Sequence, residues 1–212
     1  MSRDREPKIS LLLYHLFKWS VVSPVLHLCF RSRIYGAEHV PKHGSLIVVS
    51  NHASDLDSPI VSNCVGRPVA FMAKEELFRV PLLGQAITLY GAYPVKRGSG
   101  DRAAIRAAIA SLENGWATGV FLQGARTPDG RITEPKLGAA LIAAKTNAPL
   151  LPVSLWGTHA ILPKGAKSLH LYPVTVRIGK PIPAPTNSDR ATLEALTEKC
   201  AAEINALHAL GR

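Results

Sequence analysis

The chain has 212 residues, 47% of them hydrophobic, and carries 25 Lys and Arg against 15 Asp and Glu, a formal net charge of +10. That apolar content supports one sizeable core and excludes a disordered chain. The basic surplus points to an anionic partner: nucleic acid, a membrane surface or a phosphorylated substrate. The three cysteines, Cys29, Cys64 and Cys200, are scattered with no C-x-x-C spacing. Neither a disulfide framework nor a zinc knuckle is supported, and a reducing compartment fits.

Residues 9–30 read ISLLLYHLFKWSVVSPVLHLCF. About 20 apolar residues are what a spanning helix needs, but His15, Lys18, Ser20, Ser23, Pro24 and His27 interrupt the run. Lys18 is costly at a bilayer centre, and Pro24 breaks or kinks a helix. No small-residue cleavage site follows, so a signal peptide is not expected. The favoured reading is two short amphipathic helices bent near Ser23-Pro24 and lying in one leaflet, with Lys18 and Trp19 as interfacial anchors. The alternative is a helical pair packed on the soluble core.

From residue 45 onward, short β-rich runs recur: SLIVVS (45–50), VAFMA (69–73), AYPV (92–95), GVFLQ (119–123), LLPVSLW (150–156) and VTVRIG (174–179). Helical patterns lie between several of them. DRAAIRAAIASLENG (101–115) sets Ile105, Ala108, Ile109 and Leu112 on one stripe and stops at Gly115. EPKLGAALIAAKTN (134–147) reads as a helix with Pro135 in its first turn. Residues 188–211 read as a third, capped by Ser188 or Asp189 and stopped at Gly211. GKPIPAPTNS (179–188) is a proline-rich connector. Strands alternating with helices predict an α/β fold with a mixed, largely parallel sheet flanked by helices. The expected organisation is an N-terminal membrane-binding segment, 1–30, and one α/β domain, 31–212. Open sheets of this kind place chemistry beyond the carboxyl ends of strands. His52, Arg97 and Arg126 each follow a predicted strand.

In VVSNHASDLDSPI (48–60) a β-branched run ends at Asn51-His52, and Asp57 lies five positions after the histidine. Residues five apart on a helix are rotated by about 140° and do not share a face. His52 and Asp57 can meet only if His52 lies in the loop after the strand and the chain turns before a helix begins. Asp55, Asp57 and Ser58 supply turn and cap chemistry, and Pro59 suits a first helical position. The Asp57 carboxylate then reaches one ring nitrogen of His52, fixes the tautomer and makes the other nitrogen a general base. By residue type alone H-x-x-x-x-D is a weak pattern, and a turn histidine beside an ordinary capping aspartate is the commoner arrangement. A metal is not supported, because no second histidine or cysteine lies at ligand spacing. No G-x-S-x-G elbow, Walker loop or dinucleotide fingerprint occurs. Lys74, Arg97 and Arg126 could converge on a phosphate, although an isolated surface charge is the usual fate of each.

Five segments in order carry a family resemblance. SNHASDLDSP resembles the N-H-x-x-x-x-D signature of the glycerolipid acyltransferases, the 1-acyl-glycerol-3-phosphate acyltransferase family. AKEELFRVPLLG (73–84), GAYPVKRG (91–98), FLQGARTPDG (121–130) and APLLPVSLWGT (148–158) resemble the blocks that follow it. The third block departs from the usual F-P-E-G-T-R-S: Gln123 and Ala125 stand where glutamate and threonine are usual. Gln123 keeps a hydrogen-bonding side chain of similar length and loses the negative charge, which bears on acceptor preference.

The resemblance implies an α/β acyltransferase domain with a membrane-bound N-terminal helical pair on the cytoplasmic face of the inner membrane. It implies transfer of an acyl group from acyl-CoA or acyl-acyl carrier protein to lysophosphatidic acid, giving phosphatidic acid, with no cofactor or metal. His52 and Asp57 become the catalytic pair, and Lys74, Arg97, Gln123, Gly124 and Arg126 the substrate-binding residues. Rival readings are an enzyme for another lysolipid acceptor and a catalytically silent lipid-binding homologue. Nucleic-acid binding ranks last, since aromatic content is 6% and no basic-aromatic module occurs.

Overall fold

A computed structural model describes residues 8–95, 101–162 and 168–212. Its N-terminus is one unbroken helical run: α1 (Lys8–Phe17), a π-helical turn (Lys18–Val22) and α2 (Ser23–Leu28). The expected change at Ser23-Pro24 is therefore a junction inside a continuous rod. Pro24 has no N–H to donate to the carbonyl four residues back, and the preceding turn bonds in π register, with Ser23 N–H donating to Lys18 O.

The rod is patterned inside out. Ile9, Leu12, Leu16 and Trp19 are each more than 60% exposed, whereas Ser10, Tyr14 and Ser23 are buried. The Tyr14 hydroxyl donates to Ser62 O at 2.7 Å. By length and composition Lys8–Leu28 could cross a membrane, and only 22% of its apolar window is buried.

Seven strands form one sheet: β1 (Arg33–Tyr35), β2 (Leu46–Ser50), β3 (Val69–Lys74), β4 (Tyr93–Val95), β5 (Ala117–Phe121), β6 (Leu150–Trp156) and β7 (Thr175–Ile178). Their order is β1-β7-β6-β2-β5-β3-β4. All neighbours are parallel except the β6–β7 pair. The mixed, largely parallel sheet expected from the alternating pattern is present.

The remaining helices are α3 (Asp57–Val65), α4 (Leu83–Leu89), α5 (Asp101–Glu113), α6 (Gly138–Thr146), α7 (Thr158–Ile161) and α8 (Arg190–Ala209). β2 is buried at every position, as a strand covered on both faces must be. Leu46 and Val48 pack with Leu26 of α2, Ile60 and Val61 of α3 and Ile161 of α7. Ile47 and Val49 pack on the other face with Leu112 of α5, Ala140 of α6 and Ile204 of α8.

Three details differ from the sequence reading. The edge strand β1 is three residues of mixed polarity and carries no alternation long enough to detect. β5 spans 117–121 rather than 119–123, so Gln123 falls in the following turn. α6 begins at Gly138, leaving Pro135 outside it, because Lys136 N–H donates to Leu122 O at 2.7 Å and holds that segment against the end of β5. Of the two expected caps of α8, Asp189 takes the place, accepting from Thr192 N–H at 3.0 Å.

Candidate active site

The site grows from the carboxyl end of β2. The buried Asn51 side chain donates to Gly130 O at 2.7 Å and Leu155 O at 2.9 Å, and accepts from Leu155 N–H at 2.8 Å. One amide thus locks the residue before the histidine to the end of β6 and to the 124–130 loop.

His52 follows in an extended segment, and the chain turns through Ser54, with Asp57 N–H donating to Ser54 O at 3.1 Å. Asp57 is the first residue of α3, where a carboxylate is favoured by the helix dipole. Pro59 stands third in that helix rather than first, still within the turn that has no N–H partners to lose.

Asp57 is fully buried, and its Oδ2 is the hub of the loop. It accepts from Ala53 N–H at 2.6 Å and Ser54 N–H at 2.8 Å, and lies 2.8 Å from His52 Nδ1. A carboxylate can only accept, so the proton is assigned to Nδ1. Nε2 then carries a free lone pair. The imidazole is 18% exposed, which leaves that nitrogen a route to solvent or substrate.

Below the ring lies Phe121, the last residue of β5, with centroids 3.8 Å apart and planes 8° from parallel. Phe121 stacks in turn on Phe71 of β3 at 5.0 Å. The histidine is therefore pinned by a hydrogen bond at one edge and an aromatic face beneath. Neither Phe121 nor Asn51 was singled out as a site residue from sequence. The signal for Phe121 is a register, Ser50 opposite Phe121, which no local pattern contains.

The cations distribute along one edge of the sheet. β2, β5, β3 and β4 are consecutive and parallel, so the chain leaves each of them on the same side. Arg126, beyond β5, is beside the histidine loop: its Nη1 donates to Asp55 Oδ2 at 2.7 Å. Thr127 reinforces this, donating to His52 O from its N–H at 2.9 Å and its hydroxyl at 3.3 Å. Lys74 is the exposed last residue of β3, two strands or about 10 Å from β2. Arg97 lies outside the described residues.

Gln123 and Gly124 lie in the turn after β5 and shape it. The Gln123 carbonyl oxygen accepts from Thr133 N–H at 2.9 Å and Glu134 N–H at 3.5 Å, so it braces the 131–134 loop. Gly124 supplies a turn at φ +72°, a backbone region that favours glycine. Among the described residues no group of three or more His, Cys, Asp and Glu is placed to hold a metal ion.

The Acyltransferase family model matches residues 31–156, which contain all of these loops. The chain belongs to the Acyltransferase family. Within it, 32% identity over 168 residues links the chain to the 1-acyl-sn-glycerol-3-phosphate acyltransferase BAT2, chloroplastic, of Brassica napus, covering 77% of this chain and 48% of that protein. The 1-acyl-sn-glycerol-3-phosphate acyltransferase of Bacillus subtilis is 29% identical over 128 residues, 59% of this chain and 62% of that protein. The chain spans about half the length of the plant relatives it matches. The crystal structure of the 1-acyl-sn-glycerophosphate acyltransferase PlsC of Thermotoga maritima superposes with a TM-score of 0.72 at 28% identity, covering 94% of this chain and 97% of that one. The likeness takes in nearly the whole chain, beyond the family-matched segment.

Proposed function

We propose that the protein is an O-acyltransferase that moves a fatty acyl group from acyl-CoA or acyl-acyl carrier protein to the free hydroxyl of 1-acyl-glycerol-3-phosphate, giving phosphatidic acid. The observation that carries the reading is the 2.8 Å contact between His52 Nδ1 and the buried Asp57 carboxylate, which assigns the ring proton to Nδ1 and leaves a lone pair on Nε2 of a side chain that is 18% exposed.

In this reading Nε2 takes the proton of the acceptor hydroxyl as its oxygen attacks the thioester carbonyl. Asp57 steadies the imidazolium that forms, and Phe121 keeps the ring in plane. The tetrahedral adduct collapses with cleavage of the C–S bond. The leaving thiolate recovers the proton from Nε2, so the products are an ester and a thiol, and His52 is regenerated. Arg126 takes the acceptor phosphate with a guanidinium fork, and Lys74 adds charge along the same edge, with Arg97 the further phosphate candidate from the sequence. Holding that anion beside His52 supplies the proximity contribution to rate.

Membrane attachment follows from the inside-out rod. Ser10, Tyr14, Ser23 and Leu26 are turned to the protein, whereas Leu12, Leu16 and Leu28 face outward. A helix occupied along one side in this way lies in one leaflet rather than spanning the bilayer. The basic surplus favours the anionic cytoplasmic face of the inner membrane.

A second reading, another lysolipid as acceptor, is favoured by Asp55, which neutralises Arg126. The test is product analysis by thin-layer chromatography with the purified protein, both donor types, lysophosphatidic acid and a lyso-aminolipid, and His52→Ala as control. Phosphatidic acid formation that disappears in the control supports the first reading. Product only from the aminolipid supports the second, and no product from either refutes acyl transfer.

A further inference from the structure

We propose that residues 77–89 form a second lipid-contact surface, separate from the N-terminal rod, with Leu82 pressed into the apolar boundary of one leaflet. The inference rests on the membrane-enzyme reading above. It begins with a backbone outlier. Leu82 has φ +65° and ψ −47°, and Leu83 N–H donates to Pro81 O at 2.8 Å. An i to i+2 bond around a residue of positive φ is the rare, strained form of γ-turn. Glycine adopts such a φ without strain; for a leucine it is an outlier. The same side chain is 79% exposed. Strain and exposure therefore both disfavour leucine here in water, and an apolar surface outside the protein removes the second of these penalties.

The surroundings point to lipid as that surface. Leu77, Val80, Leu83 and Leu89 are each 38–44% exposed in the same short segment. The segment adjoins the rod, because the Tyr14 ring on the protein-facing side of α1 meets the Tyr90 ring after α4 at 5.4 Å, edge to face. It leaves the sheet after Lys74, on the edge that carries His52. A lipid acceptor must approach that edge from the bilayer. Rod and γ-turn together make two points of attachment, which orient the His52 edge toward the leaflet where a single helix leaves the domain free to tilt.

The decisive experiment places a probe at the tip. Leu82→Cys in a Cys29→Ser background, where Cys64 and Cys200 are buried, takes a polarity-sensitive fluorophore at one position. Vesicles of phosphatidylethanolamine and phosphatidylglycerol carrying nitroxide acyl chains are then added, and sedimentation measures the bound fraction. A blue-shifted, quenched emission on bound protein is the expected result. Emission that stays water-like on bound protein overturns the proposal, as does failure to bind vesicles at all. Leu82→Gly is the companion variant, since glycine accepts the turn. The expectation is vesicle binding weakened about tenfold with an unchanged or raised thermal midpoint, and unchanged binding overturns the proposal. Acyl transfer measured on the same samples separates the two readings. Probe insertion without product leaves the surface standing and removes the activity; product with a water-exposed probe does the reverse.

Discussion

Asp55 Oδ2 accepts a hydrogen bond from Arg126 Nη1 at 2.7 Å, joining the histidine loop to the loop after β5. If Arg126 holds the acceptor phosphate as proposed, the carboxylate already occupies one of its donors, and acceptor binding exchanges one anion for another. The pair is partly exposed, 25% for Arg126 and 62% for Asp55, and such pairs contribute about 0–1 kcal/mol. Asp55→Asn is therefore expected to lower the KM for lysophosphatidic acid about twofold to fivefold, with kcat little changed. Steady-state kinetics over an acceptor series checks this, and a raised KM contradicts the exchange.

Removing the proposed base is expected to have a larger effect. His52→Ala is expected to reduce the acyl-transfer rate by about 10²–10⁴ while circular dichroism and thermal midpoint stay near those of the parent. Asp57→Asn tests a different balance. Its Oδ2 accepts two backbone N–H groups besides the imidazole, so the loop itself loosens. Hydrogen bonds to a charged group contribute about 1.5–3 kcal/mol each. Asp57→Asn should lose both activity and stability, and the contrast with His52→Ala is the measurement.

Gly130 is held between two side chains. A Cβ there would lie 2.9 Å from His208 Nε2 and 3.0 Å from Asn51 Nδ2, on a backbone of φ +75°. Left-handed backbone costs a residue with a Cβ roughly 1–2 kcal/mol, and the clash adds to it. Gly130→Ala is expected to lower the thermal midpoint and, by displacing Asn51 and the Arg126 loop, to raise the acceptor KM. A variant with native stability and kinetics would show that the loop accommodates a methyl group.

Stability should also depend on His208. Burial pushes its imidazole below the usual value; His159, Arg131 and Arg177 push the same way, and Asp129 opposes them. With the folded value depressed, the unfolded chain takes up the proton first as pH falls. Stability contributed by neutral His208 is thus full above the ordinary histidine value and lost as pH falls through the depressed one. Urea denaturation between pH 7.5 and 5 should show the midpoint declining with acid. His208→Gln should flatten that decline, and an unchanged slope would assign the proton uptake elsewhere.

Much of the molecule is written locally. Apolar runs at 45–50, 69–73, 92–95, 150–156 and 174–179 became β2, β3, β4, β6 and β7 because a strand covered on both faces must be apolar along its whole length. α5 and α8 were legible from their stripes and stops. The N-H-x-x-x-x-D spacing allows a loop followed by a helix start, the geometry in which His52 and Asp57 meet, since the four residues between the contact partners close on themselves without help from distant chain.

Strand order and register lie outside any local pattern. Side by side, β2 and β5 put Phe121 under His52 and Arg126 against Asp55, from residues about 70 positions apart. The pairing of β2 with β6 made Asn51 a clamp onto Leu155. Packing onto the core decided which side of the N-terminal rod faces the protein, the side of Ser10, Tyr14, Ser23 and Leu26. Parallel pairing brings together segments joined by long crossovers, so its contacts are selected by the packing of the whole core. The local alternation of strands and helices settled the fold class, and tertiary structure settled which atoms stand next to the imidazole.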